Sequence, residues 1–291
     1  MRWRGRRQSS QVEDLRGRRV SGGRLGGGLA ELVTILFRTF GLKGVIVVAV
    51  LGFFAWKMGL VDPSLLSQGS VASQQVSIRP EEQQRFEFVR VVLADTEDVW
   101  RQEFARLGQE YRLPRMTVYR SQVPTACGPG SATMGPFYCP ADQQVYIDLS
   151  FYDELARTFQ APGDFAQAYV IAHEVGHHVQ KLTGVSEKVA SMRGRPDYNE
   201  WSVRLELQAD FLAGVWAHHS REYLEDGDIE EAMRAANAIG DDAIQKRMQG
   251  KIVPHSFTHG TSEQRMRWFM KGLKSGRIED GDTFSMAYAD L

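Results

Sequence analysis

Apolar side chains recur every three or four residues over most of the chain beyond residue 80, which is the spacing of amphipathic helices. Two shorter stretches, 116–121 and 145–149, alternate apolar and polar positions instead and predict strands. The helical stretches cover residues 81–107, 164–181, 197–220, 229–249 and 262–273. We therefore expect one α+β domain of about 210 residues that is mainly α and contains a small sheet.

The helix predicted at 164–181 carries a His-Glu-x-x-His pattern. His173 and His177 are four residues apart, so both imidazoles lie on one face and can bind one Zn²⁺. Glu174 is placed beside them to take a proton from metal-activated water rather than to bind the metal. Because a five-residue pattern arises by chance in roughly one chain in a hundred, a zinc site needs support from further residues.

The helix predicted at 197–220 supplies two candidate partners for this site. Glu206 and Asp210 are four residues apart on one face of an otherwise apolar run. A catalytic zinc site uses three protein ligands and an open position, so Glu206 is the candidate third ligand. Asp210 could accept the free ring N–H of a ligand histidine. A solvated acidic face is the other interpretation of this pair, and spacing alone leaves it open.

Among the remaining histidines, His259 is the strongest candidate for a chemical role. His178 follows His177 directly and is rotated about 100° around the helix from it, so we expect it to face another surface. His259 lies in a loop, residues 254–261, that could fold over the cleft and donate to the oxyanion of a tetrahedral intermediate. An exposed loop histidine with no such role is equally compatible with its position.

The charge of the chain is unevenly distributed. The net charge is −1, yet residues 1–43 carry ten Lys and Arg against three acidic residues, which leaves −8 for the rest. Residues 1–28 are rich in Arg and Gly and lack periodicity, so we expect a disordered tail. Since the basic excess is confined to that tail, we expect no nucleic-acid partner.

An apolar block follows the basic tail. Residues 44–61 number 18 and hold one charge, Lys57, near an end; this is just long enough to span a bilayer. We expect a single-pass anchor, with residues 29–42 as an amphipathic lead-in and 62–80 as a linker. A short interfacial helix lying on anionic lipid is the alternative for 29–42. The basic flank predicts a cytoplasmic N-terminus and a domain in the periplasm or cell exterior. A buried core helix and a cleaved signal peptide are the alternatives for the block.

The chain contains two cysteines, Cys127 and Cys139, in a segment rich in Gly and Pro. In an oxidising compartment they could close a small loop as a disulfide, which agrees with the predicted topology. A reduced pair and half of a metal site are the alternatives, although no other cysteine exists to complete a four-cysteine site.

Several motifs in one order resemble the bacterial putative neutral zinc metallopeptidase family. They are His173-Glu174-Val175-Gly176-His177-His178, Glu206-Leu207-Gln208-Ala209-Asp210, Gly135-Pro136-Phe137-Tyr138-Cys139-Pro140, Gly240-Asp241-Asp242 and Thr258-His259-Gly260-Thr261. The resemblance covers nearly the whole chain. It implies a zincin fold, zinc held by His173, His177 and Glu206, and Glu174 as the general base.

The combined expectation is a membrane-anchored zinc endopeptidase that acts on proteins or peptides. The catalytic domain is expected at residues 81–274, followed by a loose tail at 275–291. An alternative from another class is a zinc-stabilised envelope protein or peptide-binding module without turnover. The presence of a base beside the ligands argues against that alternative, because a structural zinc site would close its fourth position. The sequence predicts neither the cleavage specificity nor the oligomeric state.

Overall fold

The computed structural model describes residues 1–17 and 78–291. Residues 1–16 and 78–291 form one folded unit. The strands are β1 (Val12–Asp14), β2 (Arg115–Tyr119), β3 (Gln122–Thr125), β4 (Gly128–Ser131), β5 (Phe137–Cys139) and β6 (Gln144–Asp148). The helices are α1 (Pro80–Arg106), α2 (Phe151–Arg157), α3 (Asp164–Leu182), α4 (Val185–Ala190), α5 (Tyr198–His219), α6 (Asp228–Ala238), α7 (Asp241–Gln249) and α8 (Ser262–Ser275). The prediction of a mainly helical α+β fold is confirmed.

The larger sheet has the strand order β1-β2-β6-β5. β1 and β2 are parallel, β2 and β6 are parallel, and β5 runs antiparallel to β6 at the edge. Val145 and Ile147 point to the helical core, whereas Tyr146 between them packs in a second small cluster with the buried Cys139. Successive side chains of a strand point to opposite faces of the sheet, so β6 contributes apolar side chains to clusters on both faces. β3 and β4 form a separate hairpin.

The cysteines predicted to pair are joined in a disulfide. Cys127 and Cys139 have Cα atoms 5.8 Å apart and their sulfurs are bonded. The bond ties the turn between β3 and β4 to the edge strand β5. It therefore braces the loop segment that leads into this edge of the sheet.

Helix α3 lies at the centre of the helical layer and α5 connects it to α8. α5 and α8 approach backbone to backbone at two glycines. A Cβ on Gly214 would lie 2.1 Å from the carbonyl oxygen of Phe269, and one on Gly272 would lie 2.0 Å from that of Phe211. Any side chain at either position would push the helices apart, so both glycines are needed for this close packing.

Residues 1–16 are folded, and the expectation of a disordered tail is wrong for them. β1 adds to the sheet, Trp3 packs edge-on against Phe88, and Arg16 is almost fully buried. The arginines that suggested disorder have carboxylate partners: Arg6 pairs with Asp95, Arg7 with Glu97 and Asp98, and Arg16 with Asp14. Composition predicted disorder because these partners are distant in sequence for all but Arg16. The rest of the predicted tail, 18–28, lies outside the described residues.

The C-terminal residues are also folded, so the expected loose tail at 275–291 is a second error. Thr283 is fully buried; its hydroxyl donates to the Arg204 carbonyl at 2.7 Å and its carbonyl accepts from the Arg204 guanidinium. Leu291 is 1% exposed and belongs to the main core. This C-terminal segment, residues 276–291, packs along α5, a contact that no local pattern in the sequence indicates.

The predicted membrane segment falls in the part of the chain between the two described ranges. Residues 29–61, the expected lead-in and anchor, and 62–77 of the expected linker lie outside the described residues. Within 1–17 and 78–291, no helix has the length and apolar character needed to cross a bilayer. However, a single crossing between residues 17 and 78 would place β1 and β2 on opposite sides, although they pair in one sheet. A cytoplasmic N-terminus and an external domain therefore cannot both hold for this unit.

Candidate metal centre

Helix α3 places two histidines and a glutamate at the floor of a cleft. His173 and His177 are one turn apart, and their rings lie 4.9 Å apart and nearly perpendicular. The helix is held in the core by fully buried neighbours such as Tyr169, Ile171 and Ala172. The rigid, buried backbone of α3 thus fixes where both imidazoles stand.

Helix α5 brings Glu206 to the same point. Its carboxylate oxygens lie 3.2 Å from His173 Nε2 and 3.5 Å from His177 Nε2. The two helices can approach this closely because of Gly176, where a Cβ would lie only 3.1 Å from the carbonyl oxygen of Ala209. His173, His177 and Glu206 each offer one ligand atom, and these atoms lie within 4.8 Å of one another.

The spacing of these atoms agrees with a zinc ion. Four ligands at tetrahedral angles and at the usual Zn–N and Zn–O lengths lie about 3.4 Å from one another. The two nitrogen–oxygen distances, 3.2 and 3.5 Å, bracket that value. Two imidazoles and a carboxylate are also a typical protein ligand set of catalytic zinc. The residues present therefore fit the metal.

Asp210 orients the His173 ring. Its Oδ1 lies 2.7 Å from His173 Nδ1 and also accepts from the Tyr169 hydroxyl at 2.5 Å. Arg265, on α8, donates to both carboxylate oxygens, from Nε at 2.8 Å and Nη2 at 3.0 Å. Asp210 is fully buried and Arg265 nearly so. The carboxylate holds Nδ1 as a donor, so Nε2 is the nitrogen that faces Glu206 and the cleft and would bind a metal there.

The electrostatics of the site favour a positive ion. Burial alone would raise the pKa of Asp210, but Arg265 and His173 lower it to about 2. Burial would also raise the pKa of Glu206, yet His177 and His173 hold it well below its usual range. Burial lowers and the two carboxylates raise the pKa of His173, with a net rise to about 10. Two ionised acids thus stabilise positive charge here, which a divalent cation can provide when it displaces protons.

Glu174 lies beside the ligands without joining them. It is buried to 8% exposure and lines the cleft. Burial raises its pKa, and the neighbouring His173 and His177 oppose that rise. Its carboxylate accepts no hydrogen bond from any other residue within 1–17 or 78–291. It can therefore accept a proton from water in the cleft.

His259 lines the same cleft and is held there by Asp241. One oxygen of Asp241 accepts the backbone N–H groups of Thr258, His259 and Gly260 at 2.7, 2.6 and 3.1 Å. The other lies 3.2 Å from His259 Nδ1. Burial lowers the pKa of His259, but the hydrogen bond to Asp241 and the charge of Glu206 raise it above its usual value. The imidazole is half exposed, so its other nitrogen can reach a ligand.

The cleft above the site has a volume of about 520 Å³ and is largely apolar. The edge strand β5 contributes Phe137 and Tyr138 to its lining, and the segment 239–244 contributes Ile239 and Ile244. Its other apolar lining residues are Met134, Pro136, Phe151, Phe159, Val170 and Met248. An extended peptide can pair with β5 while its side chains contact this lining.

His178 takes no part in the metal site. Its Nε2 donates to the Arg112 carbonyl at 2.6 Å, which leaves Nδ1 to accept from the Tyr138 hydroxyl at 2.9 Å. Burial lowers the pKa of His178 to about 4. As its position on the helix indicates, it faces another surface, and there it ties β5 to α3.

Sequence reasoning missed several residues that support the site. Tyr169 and Gln180 are on α3 with the ligands, at helical spacings from His173 and His177 that could have identified them. Asp241 belongs to a motif that carried the family resemblance, but nothing in its spacing connects it with His259. Arg265 gave no signal, because it reaches Asp210 only after α8 has folded onto α5.

Two histidines and a glutamate at the floor of an open cleft, with a free carboxylate beside them, are the arrangement of side chains found in zinc peptidases. Comparison with known proteins agrees. The chain belongs to the family described as "putative neutral zinc metallopeptidase", whose model matches residues 1–284.

One relative matches nearly the full chain and another about three-fifths of it. The chain is 49% identical over 296 residues to Uncharacterized protein YpfJ of Escherichia coli strain K12. This alignment covers 98% of the chain and 99% of the relative. The chain is 43% identical over 190 residues to Uncharacterized protein Rv2575 of Mycobacterium tuberculosis strain H37Rv, covering 61% of this chain and 64% of the relative. No solved structure matches the chain.

Proposed function

We propose that this protein is a zinc-dependent endopeptidase. The observation that carries the proposal is the convergence of His173, His177 and Glu206, whose ligand atoms lie within 4.8 Å of one another beside the free carboxylate of Glu174. Zinc held by these three residues would lower the pKa of a water molecule and polarise a peptide carbonyl. The family to which the chain belongs supports the same activity.

Glu174 serves as the proton carrier in this proposal. It accepts a proton from the attacking water and then delivers it to the nitrogen of the leaving amine. Its burial supports this role, because a raised pKa brings the carboxylate closer to the pH at which it must both take and give a proton.

His259 stabilises the oxyanion that forms on the peptide carbonyl. Asp241 holds Nδ1 as a donor and favours the protonated ring, so the other nitrogen can donate to the developing charge. The same carboxylate fixes the loop backbone at three N–H groups, which keeps the imidazole from moving out of the cleft.

The substrate is an extended protein or peptide segment with apolar side chains near the scissile bond. β5 is an edge strand that can pair with one, and the lining of the cleft is apolar. We place the domain outside the cytoplasm, because the disulfide between Cys127 and Cys139 persists in oxidising compartments. Attachment to a membrane through residues 44–61 stays a prediction.

A peptide-library digest with purified full-length protein tests the proposal. We expect cleavage that a zinc chelator abolishes and added zinc restores. Glu174→Gln should retain zinc and lose at least about 100-fold in rate, the usual contribution of a general base. Glu230→Gln, the same chemical change at an exposed position of α6, is the matched control and should behave as the wild type.

The outcomes separate the two candidate functions. Full zinc occupancy without cleavage of any library peptide would favour the zinc-stabilised binding module instead. Cleavage at the wild-type rate by Glu174→Gln would refute the assigned base.

A further inference from the structure

The second zinc-binding histidine has an orienting partner of its own. We propose that Gln180 is the positioning residue of His177, and that its side chain joins the His177 ring to the turn of α5 that carries Glu206. The proposal rests on the proposed zinc site but not on peptide cleavage. Its claim is that one neutral amide sets both the ring orientation of His177 and its distance from Glu206.

The contact with His177 selects the ring nitrogen that faces the metal. Gln180 Oε1 lies 2.8 Å from His177 Nδ1, three residues away on the same helix. A carbonyl oxygen can only accept, so Nδ1 must carry the proton. Nε2 is then the nitrogen that would offer its lone pair to the metal, and it is this atom that lies 3.5 Å from Glu206.

The other end of the amide fixes which way Gln180 points. Its Nε2 donates to the Leu205 carbonyl at 2.7 Å and to Gln208 Oε1 at 3.1 Å. If the amide were reversed, its oxygen would face the Leu205 oxygen at 2.7 Å and its NH₂ would face His177, which would force the opposite tautomer. Gln180 is fully buried, so no water can separate the two oxygens, and the reversed amide is excluded.

Gln208 is oriented in turn by the C-terminal segment. Its Nε2 donates to the Gly281 carbonyl at 3.0 Å, which leaves its Oε1 to accept from Gln180. The backbone carbonyls of Leu205 and Gly281 can only accept. Each donor in this chain of hydrogen bonds, from His177 through Gln180 to Gln208, therefore points away from His177. Because Leu205 directly precedes Glu206, the Gln180 amide also sets the separation of α3 and α5 at the ligands.

The two histidines are thus supported by different chemistry. His173 faces a buried carboxylate paired with Arg265, whereas Gln180 offers His177 an uncharged oxygen. A carboxylate partner increases the basicity of a ligand imidazole, while an amide provides only orientation. Loss of Gln180 should consequently disturb geometry without changing the net charge of the site.

The test is zinc affinity, measured by competition with a chromophoric chelator, together with the visible absorption spectrum of the Co²⁺-loaded protein. Gln180→Met keeps the length of the side chain and removes both hydrogen-bonding functions. We expect its zinc dissociation constant to rise about 10–100-fold, the usual effect of removing a partner of a ligand histidine. The Co²⁺ spectrum should change as well, since the ligand geometry relaxes.

Three further variants make the result specific. Gln180→Glu in its protonated form still accepts from His177 and can donate its O–H to the Leu205 carbonyl, so it should recover part of the affinity lost in Gln180→Met. Gln208→Met should lose less than Gln180→Met, because Leu205 still orients the amide. Gln167→Met, the same change at a partly exposed position of α3, is the matched control and should bind zinc as the wild type does.

Two results would overturn the inference. One is a Gln180→Met protein whose zinc affinity and Co²⁺ spectrum equal those of Gln167→Met. The other is a Gln180→Glu protein no better than Gln180→Met. If Gln180→Met fails to fold, the zinc dissociation constants of Gln180→Glu and Gln208→Met are compared with that of Gln167→Met instead. Equal constants in all three proteins would then overturn the inference. Wild-type protein that binds zinc but cleaves no peptide would refute the proposed function and leave this inference intact.

Discussion

The buried pair of Asp210 and Arg265 gives the sharpest prediction about the stability of the site. Arg265→Met removes the guanidinium that donates to both oxygens of a fully buried carboxylate. The same change removes the donor to the Ile239 carbonyl, at 3.1 Å, and so frees the end of α6. Asp210 would keep only Tyr169 and His173 as donors.

Removal of one partner from a buried ion pair costs roughly 3–5 kcal/mol when the other charge is left without compensation. In the zinc-free protein His173, with its pKa raised to about 10, still compensates Asp210 in part, so we expect the lower end of that range. For a domain of this size each kcal/mol corresponds to a few degrees, so the melting temperature should fall by about 6–12 °C. Thermal unfolding of the zinc-free protein, followed by circular dichroism, measures the change without a contribution from the metal.

The double variant Asp210→Asn with Arg265→Met separates the charge effect from lost packing. It leaves no buried unpaired charge, so it should be more stable than Arg265→Met alone, with a favourable coupling energy in the double-mutant cycle. It should still bind zinc about 10–100-fold more weakly than wild type, because His173 loses its charged acceptor. A melting temperature of Arg265→Met equal to that of wild type would refute the reasoning, as would a double variant no more stable than the single one.

Two further predictions concern the pH dependence and the topology. In the proposed mechanism protonated His259 is the active form, so kcat/KM should fall as the pH rises through its raised pKa. Asp241→Asn should move this alkaline limb of the pH profile to lower pH, and an unmoved limb would contradict the assigned role. Gln8 and Lys251 are exposed positions of one folded unit, so they should lie on the same side of any membrane. Single cysteines placed at these two positions should therefore react equally with a membrane-impermeant maleimide in intact cells. Labelling of only one of them would contradict the shared compartment.

Helical spacing accounts for the part of the site that sequence could predict. His173 and His177 share a face of α3, and Glu206 and Asp210 share a face of α5, so periodicity alone grouped them in pairs. The requirement for a third ligand then linked the two helices. The structure brings all four together, and their roles at a metal stay predictions until zinc is measured.

Contacts between elements distant in sequence account for what could not be predicted. Arg265 reaches Asp210 across 55 residues and Asp241 reaches His259 across 18, and neither pair shares a helix or a strand. The C-terminal segment meets α5 through the backbone carbonyls of Gly281 and Thr283 and through the Thr283 hydroxyl, and these contacts follow no periodic side-chain pattern. Periodicity reports which face of an element is buried, but not what covers it.

The first sixteen residues show why composition misled the topology prediction. Positive charge near an apolar block indicates the cytoplasmic side when that charge is free to interact with the translocation machinery and lipid. Here Arg6, Arg7 and Arg16 are paired with carboxylates of the folded unit. Their charge is part of the fold, so it gives weaker evidence about membrane orientation than a simple count suggests.

The larger sheet connects residues 1–16 with the disulfide. β1 forms one edge of it, and β5, with Cys139, forms the other. Because strands of one sheet share one side of a membrane, the compartment that oxidises Cys127 and Cys139 is also the compartment of residues 1–16. Under our proposal of an oxidising compartment, the N-terminal strand must be exported together with the zinc site.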